Sequence, residues 1–282
     1  MNRIDKTFKN LKKSKEIAFI GLVPASLPPF TSSIELADTM IESGTNILMV
    51  HLPNFIPWME GPVLQKAAKK PRLNGIKREH VFELASVLRK KYPYLPLLIM
   101  TLYDSVFTIG QDKFMELSLK ADVDGFDIPN YPIYHNNDEL GFYEKAKENN
   151  LHCIIPVSHE VATSKEGSRE YDMLLKIVKN AGGFLFVMNA PGGKSGSKDT
   201  LSTEDLKGAV DRVKTLLEKE NNTCTISVVC GISSPKDVKK VVAAGAHSFM
   251  IGSAYVKKLQ MGESLESIGK YIKSIKKETY LS

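Results

Sequence analysis

With three cysteines, one tryptophan and no apolar run approaching ~18 residues, the chain lacks the marks of several protein classes. Without such a run, no membrane span is predicted. Cys153, Cys224 and Cys230 lie in or beside apolar segments and show no C-x-x-C spacing. Buried, reduced thiols and a cytoplasm-like compartment are therefore expected. The opening residues, MNRIDKTFKNLKKSK, are charged throughout and hold no apolar signal core. No HxH, HExxH or paired-carboxylate spacing occurs, so no metal site is predicted. The 38 basic residues nearly balance the 32 acidic ones, for a net charge of +6. That excess is too dilute for a nucleic-acid footprint, which needs clustering on one face. The lysine-rich patches 12–15 and 273–277 read as solvated helix ends. No low-complexity linker interrupts the chain, and residues 1–282 read as one domain.

What the chain has is alternation. Apolar runs at 17–23, 47–52, 97–102, 125–128, 153–157, 184–188, 225–230 and 248–251 read as eight strands. They are mostly continuous rather than alternating, as expected where both faces are covered. Between them, helical patterns fall at 31–42, 77–92, 111–120, 138–149, 169–181, 203–219 and 234–244, with a further pair at 254–259 and 265–276. Ile4, Phe8 and Leu11 form one face of a short N-terminal helix that would lid one end. A (β/α)8 TIM barrel needs about 250 residues, and 282 leaves room for that helix and a short one after strand 8. A doubly wound open sheet is the alternative; the count of eight and the last two units favour the barrel.

Two places look chemical. In 46–62, NILMVHLPNFIPWMEGP, an apolar strand empties into a loop holding Pro53, Pro57 and Pro62 and the acid Glu60. In parallel α/β proteins, loops at the carboxyl ends of strands face the ligand. Strand 7 ends at Gly231, and strand 8 ends at Gly252 and Ser253, where a short helix opens. Glycine lets the backbone approach an anion closely, and free N–H groups at a helix N-terminus point at it. Each glycine alone reads as a tight turn; together they predict a phosphate site for a small phosphorylated substrate.

The segments Gly61-Pro62-Val63-Leu64-Gln65, Gly231-Ile232-Ser233-Ser234-Pro235 and Gly252-Ser253-Ala254, with Val256-Lys257, resemble the α subunit of tryptophan synthase. The resemblance spans roughly residues 17–259. It implies cofactor-free retro-aldol cleavage of indole-3-glycerol phosphate to indole and glyceraldehyde 3-phosphate. It also implies a β subunit that consumes the indole; a homo-oligomer is the other expectation. Gly231, Gly252 and Ser253 match the family's phosphate cradle. Gly193, Lys194 and Gly196 fall in its mobile loop 6, and Leu22 takes the place of an apolar residue of the indole pocket.

The acid–base groups match less well. The resemblance places a glutamate at Met49, and a thioether moves no protons. It matches the family's second acid with Glu60, one methylene longer. It puts Phe186 where a tyrosine is expected, Asn130 where an aspartate is expected, and Lys194 near a threonine. His51, two positions from Met49, shares its strand face. It is either an acid–base group at the barrel mouth or a packed histidine bonded to a carbonyl. Asp127, near the end of strand 4, either orients a donor or marks the strand's end. Three functions stand: a lyase of the family's kind on that substrate or a related ester; an aldolase or isomerase for another sugar phosphate using His51 and Glu60; or a binding subunit without catalysis.

Overall fold

The computed structural model describes every residue except 26, 28, 29, 55–60, 67–76, 132–137, 191–198 and 282. Its centre is a closed barrel of eight parallel strands in sequence order. They are β1 (Ala18–Pro24), β2 (Ile47–His51), β3 (Leu97–Met100), β4 (Gly125–Asp127), β5 (His152–Val157), β6 (Phe184–Met188), β7 (Thr225–Val229) and β8 (Ser248–Ile251). β8 closes onto β1 through the pairs Ala18 with Ser248 and Ile20 with Met250. The TIM barrel expected from the alternation is the fold. All of β1, β2 and β8 are buried, which is why their sequences run apolar on both faces.

The register sorts the strand residues. Leu22 pairs with Met49, Met49 with Leu98, and Leu98 with Gly125. One step higher, Pro24 pairs with His51, His51 with Met100, and Met100 with Asp127. Partners across parallel strands share a face, so these rows point together. Leu22, Met100 and Asp127 all line one cavity at the carboxyl ends of the strands, which makes theirs the interior face.

The N-terminal helix α1 (Arg3–Lys13) closes the opposite end with Ile4, Phe8 and Leu11 buried, as its spacing predicts. Phe8 stacks obliquely on Phe184 with ring centroids 5.9 Å apart. Asn2 bonds the carbonyls of Asp124 and Asn150, both at 2.8 Å, and His152 meets Asp5 at 2.9 Å. His152 is thereby structural, far from the cavity. After β1 comes α2 (Thr31–Glu42), and α3 (His80–Lys91) precedes β3.

Local sequence signals fail at two helices. α4 (Tyr103–Ile109) follows β3 closely, in a segment for which the sequence predicts no helix; α5 (Gln111–Lys120) comes next. The α4 start has no local side-chain cap. Its N–H groups are satisfied from other loops: Asn54 accepts from Leu102 at 2.8 Å and Asn130 from Tyr103 at 2.7 Å. The helix expected from residue 138 instead begins as α6 (Phe142–Glu148). Asp138 stands outside it and accepts the N–H groups of Tyr143 and Glu144, both at 2.9 Å.

The rest is regular: α7 (His159–Ala162), α8 (Arg169–Asn180), α9 (Thr203–Lys219), α10 (Pro235–Ala243), α11 (Ser253–Gln260) and α12 (Leu265–Lys276). α11 is the short extra helix after β8. No described helix is long and apolar enough to cross a membrane. None of the three cysteines forms a disulfide.

Candidate active site

The cavity at the carboxyl ends of the strands is walled by Leu22, Met100, Phe186, Val229 and Met250 from five different strands. One rim is polar and glycine-rich: Gly231, Gly252 and Ser253. These three come from loops 7 and 8, where the sequence places an anion.

The two helix N-termini nearby differ. α10 opens with a complete capping box. The Ser234 hydroxyl accepts from Asp237 N–H, and the Asp237 carboxylate accepts from Ser234 N–H. Its donors are therefore satisfied, and Asp237 adds a charge that repels anions. α11 has no side-chain cap at all. Its first N–H groups and the positive end of its dipole face the cavity rim at Gly252 and Ser253. Between these neighbours, α11 is the one whose first turn has no side-chain cap.

The sequence around α11 explains its placement. Tyr255 is fully buried, and its hydroxyl donates to the Leu22 carbonyl and accepts the Leu22 N–H. That pins the first turn of α11 to β1 beside the apolar wall. A Cβ at Gly252 would stand 3.1 Å from Leu22 Cδ2, so glycine permits the close approach. Gly231 sits at φ +68°, and a Cβ there would meet Thr200 Cγ2 at 2.2 Å. Only glycine fits that turn without a shift. Cys230 precedes it, also left-handed, at φ +73°.

Asp127 is the carboxylate that reaches the cavity among the described residues. It ends the short strand β4, whose Gly125 lies so close to β5 that a Cβ would come within 2.2 Å of the His152 carbonyl. Asp127 is 3% exposed, and its Oδ1 has no hydrogen-bond partner among the described residues. Burial away from water raises its carboxyl to about 7. It also helps burial push the Cys230 thiol up to about 12.

A model of the tryptophan synthase alpha chain family matches residues 8–279. The chain belongs to the tryptophan synthase alpha chain family. The tryptophan synthase alpha chain of Aquifex aeolicus is 28% identical over 277 residues, covering 98% of each chain. That of Methanosarcina barkeri is 30% identical over 277 residues, covering 96% of each. A solved structure from Aquifex aeolicus superposes over the full length of both chains with a TM-score of 0.85 at 26% identity. The Legionella pneumophila subunit alpha, at 21% identity, agrees in fold with a TM-score of 0.81 over 99% of this chain and 98% of its own.

Within this tryptophan synthase alpha barrel, the sequence-predicted residues divide three ways. Asp127, Leu22, Phe186, Gly231, Gly252 and Ser253 converge on the cavity. Met49, His51 and Asn130 are buried without lining it. Met49 lies one register step below His51 and is sealed between Leu22 and Leu98. The His51 carbonyl accepts from Ala25 N–H at 3.0 Å, and the residue is buried. Asn130 accepts from Tyr103 N–H and donates to Asp104 at 3.1 Å, which ties loop 4 to α4. Glu60, Gly193, Lys194 and Gly196 lie outside the described residues.

Several contributors were absent from the sequence-derived site. Met100 and Val229 line the cavity, and their period-two spacing from other inward residues was the available signal. Tyr255 gave no signal, since its partner lies 233 residues away.

Proposed function

We propose that this chain is a carbon–carbon lyase acting on indole-3-glycerol phosphate or a closely related phosphate ester. The observation that carries the reading is the single cavity that joins an uncapped helix N-terminus to an apolar wall and a buried carboxylate. In this reading the phosphate rests on the N–H groups at Gly231, Gly252 and Ser253. The aromatic end lies between Leu22, Met100 and Phe186. Retro-aldol cleavage breaks the bond between the ring carbon and the glycerol chain. The hydroxyl on the adjacent chain carbon loses its proton as its oxygen becomes the aldehyde. The ring carbon gains a proton, so products and substrate balance without water or a cofactor.

Someone must carry those protons. A carboxyl at about 7 is half ionised at neutral pH and gives or takes a proton readily. We therefore assign proton transfer to Asp127, with Glu60 of loop 2 as the second carboxylate. His51 does not line the cavity, so it is the weaker candidate. Incubating the purified chain with indole-3-glycerol phosphate tests the proposal. Indole and glyceraldehyde 3-phosphate should appear in equal amounts, alone or with a tryptophan synthase β chain; neither appearing refutes it.

A second reading rests on Met49, apolar and sealed where the resemblance places an acid. There the barrel binds the ester and does not cleave it, and ester protects the chain against heat while no indole forms.

We further propose a β-subunit-like partner, or a second copy, at the end of the barrel that carries the cavity. Phe107 is 74% and Leu140 43% exposed, and the Gln111 amide joins their segments by donating to the Leu140 carbonyl at 2.9 Å. Sedimentation with and without a β chain tests this, and a monomer in both would refute it. A cytoplasm-like compartment, where all three thiols stay reduced, fits the same reading.

A further inference from the structure

Asn189, just past the end of β6, joins three segments. Its backbone N–H donates to the Val229 carbonyl at 2.8 Å, and its own carbonyl accepts the Leu201 N–H at 3.0 Å. Its side-chain amide donates to the Cys230 carbonyl at 3.2 Å. Only the nitrogen of an amide can donate to a carbonyl, so the orientation of this side chain is fixed. The residue is buried, yet its Oδ1 accepts nothing among the described residues. The backbone it grips is costly too. Cys230 is left-handed at φ +73° although it carries a Cβ, and Gly231 follows at φ +68°. Such conformations persist only where the surroundings over-determine them, and they cluster at functional sites. Cys230 and Gly231 both line the cavity, whereas Asn189 does not.

We infer that Asn189 is a positioning residue that aims the Gly231 N–H into the cavity. The Cys230 carbonyl and the Gly231 N–H belong to one planar peptide unit, and in a trans peptide they point opposite ways. Gripping the carbonyl from behind therefore turns the N–H toward the cavity side. The same bond holds Cys230 in the left-handed region, which its Cβ disfavours. A hydrogen bond to the carbonyl also polarises the peptide and makes its N–H a better donor. The inference rests on the reading of the glycine rim as a phosphate site and names the group that shapes that rim. Asn189 acts through the Cys230 peptide and touches no ligand.

Isothermal calorimetry of sn-glycerol 3-phosphate on the full chain, well below the melting temperature, tests this. Asn189→Ala should weaken the affinity by about three- to tenfold, the span of one hydrogen bond. Asn189→Leu has the same branched shape without the donor or the orphaned oxygen. It should weaken binding as much, and it guards against an alanine variant that fails to fold. The deciding variant adds Cys230→Gly to Asn189→Ala. Glycine enters the left-handed region without steric cost, so the turn forms without the amide and most of the lost affinity should return. A purely structural role would lower the melting temperature, leave the affinity of the folded protein unchanged and give glycine nothing to restore. Affinities within about twofold in wild type and both single variants, or a double variant no tighter than Asn189→Ala, would overturn the role of Asn189 and leave the phosphate reading standing. No binding of sn-glycerol 3-phosphate by wild type would overturn both.

Discussion

Replacing Asp127 with asparagine should stabilise the protein at alkaline pH. In the folded chain the carboxyl is raised by burial from 3.8 to about 7. Between those values the folded state holds a proton that the unfolded state releases. Stability from this group is therefore present at low pH and lost as pH rises through about 7. At pH 5 the folded carboxyl lies about two pH units below its midpoint, at ~1.36 kcal/mol each, so the contribution is about 2.7 kcal/mol. By pH 8 nearly all of it has gone. Asparagine does not titrate, so Asp127→Asn removes this slope and nothing else of that size. Urea unfolding followed by circular dichroism at pH 5 and pH 8 gives the comparison. The difference between wild type and variant should shift by about 2–3 kcal/mol toward the variant over that range. Identical pH dependence in the two proteins would show that the carboxylate is solvated or paired, and the acid–base assignment would fall with it.

Three further outcomes follow from the packing. Tyr255→Phe strands the buried N–H and carbonyl of Leu22, so it should cost about 1–3 kcal/mol in urea unfolding and weaken phosphate-ester affinity in calorimetry. Gly231→Ala must force an l-residue to φ +68° against Thr200, and it should lower the melting temperature at a cost of about 1–3 kcal/mol. Asn130→Ala leaves the Tyr103 N–H unpaired inside the protein and should destabilise it by about 1–3 kcal/mol, measured by the same unfolding titration.

The barrel was readable because its strands are buried on both faces. β6 and β8 run over the residues that their apolar runs mark, 184–188 and 248–251. The glycine rim of the cavity was readable too, since Gly231 and Gly252 close consecutive strands and no other residue fits the first. The capping box of α10 stands in the sequence as Ser-Pro-Lys-Asp and forms as written. What escaped depends on partners far along the chain. The start of α4 is satisfied by Asn54 and Asn130, which lie 48 and 27 residues from the N–H groups they accept. Asn130 stands where the family's pattern has an aspartate, and its side chain is tied to α4. His51 shares the face of Met49, as the strand period requires, but neither lines the cavity, although their partners in register, Met100 and Leu22, do. The character of Asp127 could not be read from position 127. It comes from Met100, Pro156 and Phe186, brought around it by three separate strands.

In the proposed reading, one cavity anchors a phosphate ester at α11 and Asp127 moves a proton in cleaving it. Steady-state release of indole from indole-3-glycerol phosphate, measured for wild type and Asp127→Asn at saturating substrate, tests this most directly. Wild type should release indole measurably, and kcat should be lower by about 10²-fold or more in the variant. No release by wild type, or equal kcat in the two proteins, would contradict it.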